Sequence, residues 1–225
     1  MIRTICAVLL LVGMQSGVRA EAVSEDFDGS LSAATWTFLN KPKTADGALI
    51  LATGDADPQG YLDCGLVSRE GNASLNFIEQ PLEIRAEDVQ ISGSAQTDSR
   101  ILQVIIAADS PKETQAVSYV KLRLSADGRA TVTVGGAGSS EKSVISTGFS
   151  FPIQKLSLQL DGKEARLSIK TPHGDVKAEG ELEGHLDAGA WSGAQPYLIV
   201  KATRRPSEGD CKVTLDSLAI SPVKE

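Results

Sequence analysis

This chain is poor in the residues that most often carry chemistry. Its 225 residues include only two histidines and three cysteines. His173 and His185 show no ligand spacing with any cysteine, so a histidine-based metal site has almost nothing to build on. Aromatics make up 4 % of the chain, with two Trp and three Tyr, which excludes a broad platform of stacked rings. Cationic runs are missing too: Arg204-Arg205 is only a pair, and the formal net charge is −7. Nucleic acid and anionic lipid are therefore poor partners. No serine stands in a Gly-x-Ser-x-Gly elbow, so that hydrolase chemistry lacks its nucleophile. No apolar run approaches the roughly 20 residues that span a bilayer, so no integral membrane anchor is expected. No cofactor is implied by any motif.

The N-terminus is informative. Arg3 precedes an apolar run from Ile5 through Val12, and a polar stretch ends in Val18-Arg19-Ala20. That is the three-part pattern of a secretory signal peptide cut after Ala20. Residues 1–20 are expected to be removed, leaving 21–225 as one exported domain, secreted or periplasmic. Cleavage takes away Arg3 and Arg19, so Lys+Arg falls from 22 to 20 against 29 acidic residues and the net charge moves from −7 to −9.

Cys6 leaves with the signal. The remaining pair, Cys64 and Cys211, most simply forms one disulfide in an oxidising compartment. Closing so long a loop contributes about 4–5 kcal/mol in the chain-entropy picture. The alternative is two buried thiols.

The periodicity is that of strands. Residues 119–124 alternate apolar and charged, and Asp127-Gly128 leads to a second alternating run at 130–134. The pattern recurs in 156–160, Asp161-Gly162 and 165–170. Asp-Gly between such runs predicts hairpins, with type I′ turns. A third pairing joins Lys170 and its neighbours to 176–179. Further strands are expected at 36–39, 48–52, 61–67, 82–91, 101–107, 197–202 and 212–220. The 101–107 run is apolar on both parities, as in a central strand covered on both faces. A short helical turn is allowed near 185–191. Many short strands without helical periodicity argue for an antiparallel β-sandwich or a barrel.

The order of landmarks resembles the concanavalin A-like lectin/glucanase superfamily. Glu25-Asp26-Phe27-Asp28 is followed by Leu31, Trp36 and Gly47-Ala48-Leu49-Ile50-Leu51, and the chain closes on Val213-Thr214-Leu215-Asp216-Ser217-Leu218-Ala219-Ile220. The resemblance covers most of the chain after the signal in the order of its elements. It implies an all-β, two-sheet jelly roll with neighbouring terminal segments, and it brings Cys64 near Cys211. Glucan-cleaving members carry two Glu flanking an Asp on one strand, because retention of configuration needs carboxyls roughly 5–5.5 Å apart. Glu83, Glu87 and Asp88 have the wrong register for that. Glu179, Glu181 and Glu183 alternate but enclose no Asp, and they read as the solvent face of a strand end. The glucanase chemistry does not carry over.

Lesser signals remain. Gly135, Gly136 and Gly138 precede no helix and read as a loop tip. Asp55, Asp57 and Asp63 could offer oxygens to Ca²⁺ but fit no named calcium loop, so an ordinary turn is the better account and no metal is expected. Asn72-Ala73-Ser74 matches a glycosylation acceptor. The resemblance implies that Trp36 is a core residue. Trp191, among Gly189, Ala190, Ser192 and Gly193, is the better candidate for an exposed sugar-stacking platform, although a Trp tucked under its own turn is the commoner outcome. Tyr197 is a second aromatic candidate, with Arg204 and Arg205 as donors to sugar hydroxyls or carboxylates. The expectation is an exported, non-catalytic lectin-like module for a glycan or other cell-surface polymer. The rivals are a sugar-acting enzyme using His173, His185 or the Asp55–Asp63 loop, and a structural or protein-interaction domain of the cell envelope.

Overall fold

A computed structural model describes residues 23–54, 62–137, 139–205 and 209–223. The signal peptide, Tyr61 and most of the Asp55–Asp63 loop lie outside the described residues. Among the described residues sixteen strands form two antiparallel sheets. They run β1 (Val23–Glu25), β2 (Trp36–Leu39), β3 (Lys43–Ala45), β4 (Ala48–Thr53), β5 (Asp63–Ser68), β6 (Leu82–Ser92), β7 (Arg100–Ala107) and β8 (Tyr119–Ser125). The remainder are β9 (Arg129–Gly135), β10 (Lys142–Gly148), β11 (Ile153–Leu160), β12 (Glu164–Thr171), β13 (Gly174–Glu181), β14 (Tyr197–Arg204), β15 (Cys211–Leu215) and β16 (Ser217–Pro222).

One sheet has seven strands in the order β10-β9-β8-β7-β14-β5-β2. The other has nine, with β13-β12-β11-β6-β15-β4-β3 as its path and β1 and β16 joined to it beside β6. β6 is long enough to pair β11 along one edge while β16 and then β15 share the other. The terminal strands are partners, Glu25 opposite Leu218, as the resemblance implies. Its landmarks are core residues: Phe27 and Trp36 are buried, and the Trp36 indole donates to Glu25 Oε1 at 2.8 Å.

Alternation explains the core. In β8 the apolar parity Val120, Leu122 and Leu124 points inward with Leu102, Val104 and Ile106 of β7 and Leu198 and Val200 of β14. Leu156 and Leu158 of β11 and Leu167 and Ile169 of β12 complete it from the other sheet. Both Asp-Gly hairpins are present, but neither uses a type I′ turn. Gly128 and Gly162 take positive φ while Asp127 and Asp161 do not. Each aspartate instead acts through its side chain. Asp127 accepts from the Ser125 hydroxyl, and Asp161 accepts from the backbone N–H groups of Lys163 and Glu164.

Trp191 is fully buried, the commoner outcome for a Trp beside its own turn, so it offers no exposed platform. Asp187 caps the helical turn α1 (Ala188–Trp191), which drives the indole into the interior against Phe77, ring centroids 4.5 Å apart. Ser118 Oγ accepts its N–H at 2.9 Å, so the buried ring leaves no unsatisfied donor. The Cys64–Cys211 disulfide is not formed. Cys64 stands opposite Ala202 in the seven-stranded sheet and Cys211 opposite Thr53 in the other, where its sulfur takes a hydrogen bond from the Ile101 backbone.

Candidate functional site

The outward parity of the seven-stranded sheet carries an unusual surface. Its upper part is apolar: Val67, Ile105, Ala107, Ala116, Tyr119 and Ile199 form a second buried cluster. This covering explains why β7 is apolar on both parities. Below it the register sets a polar stripe across the strands. Lys201 stands opposite Gln103, Gln103 opposite Arg123, Arg123 opposite Thr131, and Thr131 opposite Ser146.

A charged network ties a loop to this face. Lys121 is buried and donates to Glu113 at 2.8 Å and to Glu141. The other oxygen of Glu113 lies 3.3 Å from Lys201, so one carboxylate bridges two strands. The bridge holds the turn carrying Glu113 over the sheet, and Ala116 enters the apolar cluster beside it. Tyr119 donates its hydroxyl to Glu141 at 2.7 Å. Burial, reinforced by Glu141, pushes the Tyr119 phenol well above its ordinary value. Burial disfavours the Glu141 charge, but the Lys121 and Tyr119 hydrogen bonds outweigh it and hold this carboxyl below its usual range. Gly135 opposite Tyr119 is required by this packing, because a Cβ there would sit 2.6 Å from the ring.

The stripe leaves hydrogen-bonding atoms unused. Gln103 Oε1, Arg123 Nε and Thr133 Oγ1, on three adjacent strands of this face, are buried without a partner among the described residues. Such atoms cost about 1–3 kcal/mol each and call for an explanation. At the lower end, a cleft of about 180 Å³ is lined by Arg123, Arg129, Arg205, Asp98, Asp127, Ser125, Thr131 and Ser146.

The expected site residues separate. Tyr197 lies half-buried on the outward parity of β14, in the row of Ala107 and Tyr119. Arg205 is exposed, lines the cleft and lies 3.8 Å from Asp98. Arg204 has the opposite parity and approaches Gly54 at the sandwich end. Trp191 is in the core, apart from all three. His173 is exposed on the β12–β13 turn, and His185 contacts Lys142 Nζ at 2.7 Å. Asp63 accepts from Thr203 and lies 3.8 Å from Lys201. No group of three metal-ligating side chains occurs among the described residues. Asn72 caps a short turn through its side chain. Glu179 and Glu181 are exposed on the edge strand β13.

The residues missed from the sequence were signalled there. Lys121 and Arg123 are the charged parity of an alternating strand, and Gln103 is the one polar residue in the 101–107 run. What the pattern lacked was which face they would share.

Solved structures decide the architecture. The winged bean acidic lectin, complexed with methyl-α-D-galactose, superposes with a TM-score of 0.59 at 7 % identity, covering 92 % of this chain and 100 % of that one. A prokaryotic β-1,3-1,4-glucanase (lichenase) from a mouse hindgut metagenome gives 0.56 at 10 % identity over 90 % of this chain and 99 % of the other. The fold is the concanavalin A-like jelly roll. A protein solved in work on endo-acting O-glycanases of the human gut microbiota that initiate mucin breakdown gives 0.58 at 14 % identity, with 90 % and 99 % coverage. No family model and no curated protein sequence matches the chain. Within this jelly roll no helix of the described residues is long and apolar enough to cross a membrane.

Proposed function

We propose that residues 21–225 form an exported, non-catalytic module that binds a glycan on the outer face of the seven-stranded sheet, after removal of residues 1–20. The observation that carries this reading is the polar stripe from Lys201 through Gln103 and Arg123 to Thr131, with side-chain atoms that have no partner among the described residues. Side chains that hold both donors and acceptors in fixed positions suit sugar hydroxyls, and Tyr197 adds an aromatic flank. The solved neighbours that share the fold include a sugar-bound lectin and glycan-degrading enzymes. Fold likeness alone would leave binding and catalysis equal.

The carboxylates favour binding. Glu113 and Glu141 are committed to lysines, and Glu141 is held below the usual carboxylate range. A glycosidase acid needs the opposite shift. The test is affinity electrophoresis through gels containing soluble β-glucan, galactan, polygalacturonate or mucin. Retardation by at least one polymer is expected, and Gln103→Ala should abolish it. Migration unaffected by every polymer, or retardation indifferent to Gln103→Ala, overturns the proposal. Export is tested separately by the mature N-terminus, expected at Glu21.

A further inference from the structure

Among the described residues, the cleft at the lower end of the stripe has a charge imbalance. Three guanidinium groups line it, those of Arg123, Arg129 and Arg205, against the two carboxylates of Asp98 and Asp127. Asp127 lies 3.4 Å from Arg129 and Asp98 lies 3.8 Å from Arg205. Among the described residues no carboxylate oxygen lies within ion-pair distance of Arg123. Among those residues its guanidinium has one hydrogen bond, long at 3.5 Å, to the backbone oxygen of Asp98. Burial, the largest effect, and the nearby Arg205 charge work against the Arg123 cation, and Asp127, Glu141 and Asp98 offset them only in part. A chain of net charge −7 thus gathers three cations at one end of its polar stripe, and among the described residues Arg123 has no direct ion pair. Placing like charges together in a partly buried cleft is unfavourable until an anion enters.

The rest of the lining narrows the anion. Thr131 and Ser146 stand opposite each other on β9 and β10 and bring hydroxyls to the same cleft. A guanidinium fork matches a planar carboxylate through two parallel N–H···O bonds, and neighbouring hydroxyls suit the ring oxygens of the same sugar. The cleft is continuous with the stripe through Arg123, which belongs to both. We propose that this cleft is a subsite for the carboxylate of a uronic acid residue, so that the polymer bound on the stripe is an acidic polysaccharide. The inference rests on the glycan-binding reading and gives that site its substrate class.

Titration of the exported protein with polygalacturonate, and with the same polymer fully methyl-esterified, tests it. At least tenfold tighter binding to the acid form is expected, weakening as salt rises. Arg123→Gln should abolish that preference. Arg205→Gln, at an exposed position, should reduce it without disturbing the fold. Equal binding of acid and ester, or an unchanged ratio in both variants, overturns the subsite. Binding of neutral polymers only would leave the glycan-binding reading standing and remove the acidic one. Arg123-dependent binding of dextran sulfate without binding of polygalacturonate would overturn the carboxylate assignment in favour of a sulfate site.

Discussion

The Trp191 indole donates to the hydroxyl of Ser118 across the interior, at 2.9 Å. This bond connects the loop before β14 to the segment entering β8, and the Trp191 carbonyl in turn accepts from Asn76 Nδ2 at 2.7 Å. Trp191 is therefore a plug at one end of the sandwich, and its effects belong to stability. Trp191→Ala should destabilise by about 3–5 kcal/mol, the usual loss for a buried large aromatic. Trp191→Phe should cost less, leaving mainly the unsatisfied Ser118 hydroxyl, about 1–3 kcal/mol. Urea unfolding measures both. Loss of glycan binding in a folded Trp191→Phe protein would contradict this placement.

The cysteines give a second prediction. Burial raises the Cys211 thiol to about 11, so almost none is thiolate near neutrality. Cys64 is buried as well. Native protein should resist alkylation, and denaturant without reductant should allow two adducts on the mature chain. A mass showing no adduct until reductant is added would contradict the arrangement seen here.

Acid should weaken the fold through particular groups. Burial opposes the Glu83 charge, but hydrogen bonds from Arg85 and Ser157 hold its carboxyl below the ordinary 4.5. Glu141 is lowered in the same sense. A carboxylate with a depressed native pKa stabilises the protein above its unfolded value and loses that contribution as pH falls through the native one. The urea midpoint should therefore hold near pH 6–7 and decline below roughly pH 4.5. Glu83→Gln should lower stability at pH 7 and flatten the decline. An undiminished slope in both Glu83→Gln and Glu141→Gln would show that other groups control it.

The Glu113 bridge makes a local prediction. Glu113→Gln removes a charge shared by Lys121 and Lys201, leaving Lys121 to Glu141 alone. Because Lys121 is buried, the loss should exceed the 0–1 kcal/mol of a surface pair. The segment 109–117 should become the first site of proteolysis. Cleavage rates indistinguishable from the parent would indicate that Ala116, packed in the apolar cluster, holds the loop by itself.

Much of the architecture was legible because alternation reports burial directly. The β8–β9 and β11–β12 hairpins and the double-sided apolar strand β7 followed from local pattern, and the core role of Trp36 from the resemblance. Strand β10 was not legible: Lys142–Gly148 buries only Ile145 fully, being an edge strand with a register shift between Ser143 and Ile145. The site was harder still. Gln103, Arg123 and Lys201 are separated by long stretches of chain, and only the pairing of β8, β7 and β14 brings them into one row. The small residues around Trp191 suit either an exposed loop or a turn closed over its own ring, and here the turn closes over the ring.

The most direct measurement is backbone amide chemical-shift mapping as the bound polymer's oligosaccharide is added. Glycan binding on the outer face predicts shifts concentrated in β7, β8, β9 and β14, centred on Gln103, Arg123, Thr131 and Lys201. Shifts confined to β11, β12 and β13, or to the separate cavity lined by Thr35, Arg69, Asn72 and Gln195, would contradict it.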